Sequence, residues 1–118
     1  MTCRVLVVDD DADLRFLLRM ALDVEGVSTV VGEAANGRDA IVAARQHRPD
    51  VIVLDQAMPV MSGTEAIPEL RAAVPGARIV IYSAYAHTDL RAELEALADA
   101  VVVKGGPVGE LVDLVVAA

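Results

Sequence analysis

The chain has 118 residues, 18 acidic against 10 basic, giving a formal net charge of −8, and 55% of its residues are hydrophobic. That length supports one core formed without metal or disulfide, a single domain over residues 1–118, and the acidic balance argues against direct nucleic-acid or anionic-membrane binding, which needs a basic footprint. Cys3 is the only cysteine, so no internal disulfide forms, and no apolar run approaches the ~20 residues of a membrane span, while Asp9, Asp10 and Asp11 interrupt the stretch where a signal peptide stays apolar, so a cytoplasmic location is expected.

Short apolar runs alternate with segments of helical period. Cys3 is read as a small buried apolar residue leading into a first strand, Val5 to Val8. A helix follows with Leu14, Leu17, Leu18 and Ala21 on its buried face and Gly26 as its C-terminal stop. Thr29 to Glu33 is less uniformly apolar and reads as an edge strand. Asn36 caps a second helix that packs through Ala40, Ile41 and Ala44 and ends before Pro49. Val51 to Leu54 is the third strand. Ser62 and Glu65 form a capping box for a third helix buried through Ile67, Leu70 and Val74. Pro68 lies past its first turn, where a missing donor costs about 3 kcal/mol or is relieved by a kink. Ile79 to Ile81 is the fourth strand, and Leu90, Leu94 and Leu97 mark the fourth helix. Val101 to Val103 is the fifth strand, and Pro107 in a first turn starts a fifth helix containing Leu111, Leu114 and Val115.

Continuous β-branched runs separated by helices call for parallel strands covered on both faces. Right-handed crossovers make this an α/β, flavodoxin-like, doubly wound five-stranded sheet of order 2-1-3-4-5 with five helices. Ligands in such sheets bind beyond the carboxyl ends of the strands. Asp9 and Asp10 end the first strand, Asp55 the third, Ser83 the fourth and Lys104 the fifth. Helix capping accounts for Asp11, but three further carboxylates converge on one crevice. Two charges about 5 Å apart repel by about 3 kcal/mol at an effective dielectric of 20. Oxygen-only donors in small number suit Mg²⁺. Nine of the ten basic residues are arginine, and the sole lysine, Lys104, stands opposite the cluster, where a compact ammonium suits a carboxylate or a phosphoryl oxygen. Asp55 is thus a candidate nucleophile, with Ser83 placed to donate to a group attached there. His47 and His87 have no ligand or triad partner in the pattern and read as solvated surface residues.

The stretches VLVVDDDADLR, VVGEAANGRDAI, RPDVIVLDQAMPVMSG, IVIYSAYA and VVVKGG resemble the receiver domain of two-component response regulators, a resemblance that covers residues 4 to 118. The second stretch is most similar to receivers that carry a helix-turn-helix effector. The resemblance implies that Asp55 accepts a phosphoryl group from a sensor histidine kinase or phosphotransfer protein and later loses it to water. It implies that Mg²⁺ is held directly by Asp10, Asp55 and the backbone carbonyl of Ala57, with Asp9 acting through water, and that Ser83 and Lys104 hold phosphoryl oxygens. On this reading the chain is a switch and not an enzyme with turnover, and homodimerisation through the fourth helix, fifth strand and fifth helix is a possible output. Two positions depart from the family pattern. Val101 replaces the usual aromatic three residues before the lysine and cannot perform its inward rotation, which leaves as the alternative an interaction module that signals without phosphorylation. Gly105 replaces the common cis proline, and a cis bond there costs about 3–4 kcal/mol, so the peptide is expected trans. Ala57 and Tyr85 occupy positions that tune phosphoryl loss in the family.

Overall fold

The computed structural model of the chain describes residues 2–84, 86 and 89–117. Five strands, β1 (Cys3–Val8), β2 (Ser28–Ala34), β3 (Val51–Leu54), β4 (Arg78–Ser83) and β5 (Ala100–Val103), alternate with five helices. These are α1 (Ala12–Leu22), α2 (Gly37–His47), α3 (Gly63–Ala73), α4 (Arg91–Leu97) and α5 (Val108–Val116). All strand pairs are parallel in the order β2-β1-β3-β4-β5, the expected topology with β2 at one edge. A bulge between Val5 and Leu6 shifts the β1–β2 register.

Alternation along each strand feeds two separate cores. Leu6, Ile52, Leu54 and Ile81 pack with Ile41 and Leu70 on the α2–α4 side. Val7, Val53 and Tyr82 pack with Leu18 and Leu111 on the α1–α5 side. Strands buried on both faces explain why the runs are continuously apolar.

Helix starts follow the sequence closely. The Asp11 side chain accepts from the Asp13 and Leu14 amides, Asn36 accepts from the Asp39 amide, and Ser62 with Glu65 completes a reciprocal capping box. Pro68 sits inside α3 on the exposed side, so the Thr64 carbonyl receives no i+4 donor there.

Several packing expectations are corrected. Leu17 is 49% exposed, and Leu22 is buried in its place. At about 100° per residue, Leu14, Ala21 and Leu22 lie close to the direction of Leu18 whereas Leu17 is a quarter-turn away. Helix α1 ends at Leu22 with Asp23 as its C-cap, and Gly26, at φ 74°, instead serves the turn into β2. Pro107 is the N-cap of α5 and lies just before its first turn, and Leu97 is exposed. Cys3 is only half-buried, its thiol 3.9 Å from the Val115 carbonyl. His47 is half-buried and not a fully solvated surface residue, because its ring lies over Gly32 of β2, where a β-carbon would fall 2.8 Å from His47 Cδ2. His87 and Tyr85 lie outside the described residues. No helix among the described residues is long and apolar enough to cross a membrane.

Candidate functional site

The crevice at the carboxyl ends of β1, β3, β4 and β5 collects the residues expected there. One carboxylate oxygen from each of Asp9, Asp10 and Asp55 lies within 4.8 Å of the others, with Asp9 and Asp55 buried and Asp10 exposed. Lys104 Nζ reaches over the cluster, 2.6 Å from Asp9 Oδ2 and 3.2 Å from Asp55 Oδ2. The remaining oxygens are held by backbone: Asp9 Oδ1 accepts the Asp11 amide at 2.9 Å and Asp55 Oδ1 accepts the Gln56 amide at 2.8 Å. Ser83 is fully buried, and its carbonyl accepts the Lys104 amide at 3.0 Å, which locks β4 to the start of the lysine loop. Ala57 is exposed in the loop that follows Asp55. Among the described residues the peptide bonds are trans, including that after Lys104, and Gly105 adopts φ 96°. Val101 is buried on the α2–α4 side.

Electrostatics sharpen the picture. Burial pushes the Asp55 carboxyl above its ordinary value and Asp9 adds to this, with the Lys104 charge and the Gln56 amide offsetting only part. Burial pulls the Lys104 ammonium down, but its hydrogen bond to Asp9 and the charges of Asp55 and Asp9 outweigh that, and the net direction is upward. Three carboxylates against one ammonium leave two negative charges in the crevice. The donor set is all oxygen, and its span is within reach of one small divalent ion at metal–oxygen distances of about 2.1 Å after minor side-chain rotation. The residues present therefore fit Mg²⁺.

Other residues that hold this edge lie in the stretches that carry the family resemblance, but no role follows for them from the residue pattern. Gly63 starts α3 against the Asp55 backbone, its amide donating to the Gln56 carbonyl at 3.0 Å. The Gln56 side chain accepts from the Thr64 amide at 2.8 Å and donates to the Thr64 hydroxyl at 2.9 Å. Arg15 donates through Nη1 to the Asp9 carbonyl at 2.6 Å and pairs through Nε with Glu33. The advance signal is their place in the motif stretches: Gly63 closes RPDVIVLDQAMPVMSG eight residues after Asp55, and Arg15 closes VLVVDDDADLR four after the Asp11 cap.

A family model described as the response regulator receiver domain matches residues 5–116. The chain is 41% identical over 81 residues to the chemotaxis protein CheY of Thermotoga maritima, a match covering 69% of this chain and 67% of that protein. It is 38% identical over 97 residues to protein-glutamate methylesterase/protein-glutamine glutaminase 1 of Vibrio vulnificus, covering 82% of this chain but spanning only about a quarter, 26%, of that relative. Among solved structures, a LuxR-family two-component response regulator from Aurantimonas superposes with a TM-score of 0.84 at 31% identity, over 99% of this chain and 86% of that one.

Proposed function

The chain belongs to the response regulator receiver domain family, and on that premise we propose that it is a signalling switch whose Asp55 takes a phosphoryl group from the phosphohistidine of a sensor kinase or phosphotransfer protein. The observation that carries this reading is the convergence of Asp9, Asp10, Asp55 and Lys104 on one crevice at the carboxyl edge.

Asp55 Oδ2 faces the crevice and Oδ1 is tied to the Gln56 amide, so one oxygen is held ready for in-line attack. Its lone pair forms the new O–P bond as the donor's P–N bond breaks, and the released imidazole nitrogen takes the bond's electrons and a proton. Lys104 and the Ser83 hydroxyl bind the transferred phosphoryl oxygens. Asp10, Asp55 and the Ala57 carbonyl would hold Mg²⁺, with Asp9 assisting from beside them. When bound, the ion neutralises charge that builds on the phosphoryl oxygens. Water later cleaves the acyl phosphate and returns the carboxylate. Output passes to a partner or a second copy through α4, β5 and α5, in the cytoplasm.

Intact-mass analysis after exposure to acetyl phosphate and Mg²⁺ tests this: one phosphoryl group is expected on the wild-type chain and none on Asp55→Asn. No adduct, or the same adduct in Asp55→Asn, defeats the proposal. Val101 favours one rival reading, an interaction module that signals without phosphate, because a buried valine has no ring to swing inward. A partner affinity or oligomeric state that does not respond to beryllofluoride with Mg²⁺ would support that rival.

A further inference from the structure

The strongest feature outside the crevice itself is a charged cluster on its β2 side. Arg15 projects from the end of the first turn of α1 and makes two bonds at once, Nη1 to the Asp9 carbonyl at 2.6 Å and Nε to Glu33 Oε1 at 3.1 Å. Glu33 is held from its other oxygen by Arg19, with Nη2 at 2.7 Å, and Arg19 itself donates to the Val30 carbonyl at 3.3 Å. Arg15 is the more enclosed of the two arginines, its side chain 19% exposed against 38% for Arg19.

The Arg15 bond completes a cage around Asp9. The Asp9 amide donates to the Ala34 carbonyl, Oδ1 accepts from Asp11, Oδ2 accepts from Lys104, and the carbonyl accepts from Arg15. The carbonyl of Asp9 belongs to the same rigid peptide unit as the nitrogen of Asp10. Whatever fixes that carbonyl therefore fixes the position of the Asp10 Cα and of the N–Cα bond about which its side chain is carried. The backbone amide of Arg15 also donates to the Asp11 carbonyl at 3.0 Å, so one residue grips the acidic turn from both sides.

We infer that Arg15, seated on Glu33, is a positioning residue that orients the Asp9–Asp10 peptide and so aims the Asp10 carboxylate at the cation. This rests on the reading of the crevice as a Mg²⁺ site. A planar guanidinium can bond a carbonyl and a carboxylate in two directions at once, which an ammonium on a flexible stem does less rigidly. Outer partners of this kind typically change metal affinity by about 10–100-fold when removed.

The sign of the effect separates positioning from charge. Removing a cation from beside an acidic cluster strengthens Mg²⁺ binding by Coulomb's law alone, whereas losing the orientation of Asp10 weakens it. Calorimetric titration of the full chain with MgCl₂ reads this directly, without any phosphoryl donor. Arg15→Met is expected to bind Mg²⁺ about tenfold more weakly than wild type, while Arg19→Met, which removes the same charge and also a bond to Glu33, binds at least as tightly as wild type. Arg15→Lys keeps the charge and is the variant to rely on if Arg15→Met fails to fold. It is expected to bind more weakly than wild type by about threefold or more, since an ammonium cannot reproduce both bonds. Equal or tighter binding in Arg15→Met, or wild-type affinity in Arg15→Lys, overturns the inference while leaving the Mg²⁺ site intact. A wild-type chain that takes up no Mg²⁺ overturns the site reading and this inference with it.

Discussion

Gly63 opens α3 directly against the backbone of the candidate acceptor. A β-carbon built there meets the Asp55 carbonyl oxygen well inside contact distance, and lies 3.1 Å from the Asp55 carbonyl carbon and 3.2 Å from Gln56 Cα. All three are backbone atoms at the end of β3, so no rotamer change relieves the overlap. In Gly63→Ala, the start of α3 and the end of β3 must separate by several tenths of an ångström. Overpacking of this kind costs about 1–3 kcal/mol, against which the better helix propensity of alanine returns at most about 1 kcal/mol. A net loss of about 1–2 kcal/mol is expected, which at this chain length lowers the melting midpoint by about 3–10 °C. The Asp55 carboxylate moves with its backbone, so phosphoryl uptake falls further than stability does, by about tenfold or more. Gly76→Ala is the matched control, because nothing lies within 4 Å of a β-carbon there. Urea unfolding of both variants and the rate of acetyl-phosphate labelling by intact mass give the two readouts. If Gly63→Ala is as stable as Gly76→Ala and labels at the wild-type rate, the steric reasoning is wrong.

Two further changes test charged groups. In Lys104→Met the ammonium is removed from both Asp9 and Asp55, and labelling by acetyl phosphate is expected to fall by about 100-fold or more while the chain still unfolds cooperatively in urea; labelling within threefold of wild type would show that Lys104 is only an electrostatic prop. Asp99 accepts from the Ile79 amide at 2.8 Å and from Arg71 at 3.0 Å. Burial raises its carboxyl, but those hydrogen bonds and the arginine charge outweigh burial and hold it below its ordinary value. A lowered folded-state value adds stability above the unfolded carboxylate pKa of about 3.9 and loses it as pH falls through the folded value. The stability gap between wild type and Asp99→Asn is therefore expected to be full at pH 6 and to close below about pH 4, and a gap independent of pH in urea unfolding contradicts it.

Features governed by local periodicity were legible in the sequence. The apolar runs placed all five strands, Asn36 and Ser62 announced their helices through side chains that cap within three residues, and the carboxyl-edge rule brought Asp9, Asp10, Asp55, Ser83 and Lys104 to one end of the sheet. What depended on contact between distant segments was not. Leu17 carries the same side chain as Leu18, and only the helix's rotation on the sheet leaves one exposed. His47 is half-buried because the side chain is missing at Gly32, on another element. Arg15 and Gly63 close two of the stretches that carry the resemblance, but their tasks depend on distant contacts: β2 must bring Glu33 beside Arg15, and the turn from β3 must fold back before Gly63 meets the Asp55 backbone.

The same geometry explains why the single lysine of the chain stands where it does. A guanidinium matches two oxygens of one carboxylate, but neither aspartate offers two. Asp9 Oδ1 is bonded to the Asp11 amide and Asp55 Oδ1 to the Gln56 amide, so each residue turns only its Oδ2 toward the crevice. The available target is thus a pair of single oxygens from different strands, 2.6 Å and 3.2 Å from Nζ. A tetrahedral ammonium can bond both and still direct its third N–H elsewhere, and the longer of the two bonds is the one to the candidate acceptor. A phosphoryl group on Asp55 would exchange a singly charged oxygen pair for a group carrying close to two negative charges near neutral pH. Lys104 is already within hydrogen-bonding range of that position and needs no rearrangement of β5 to meet the added charge.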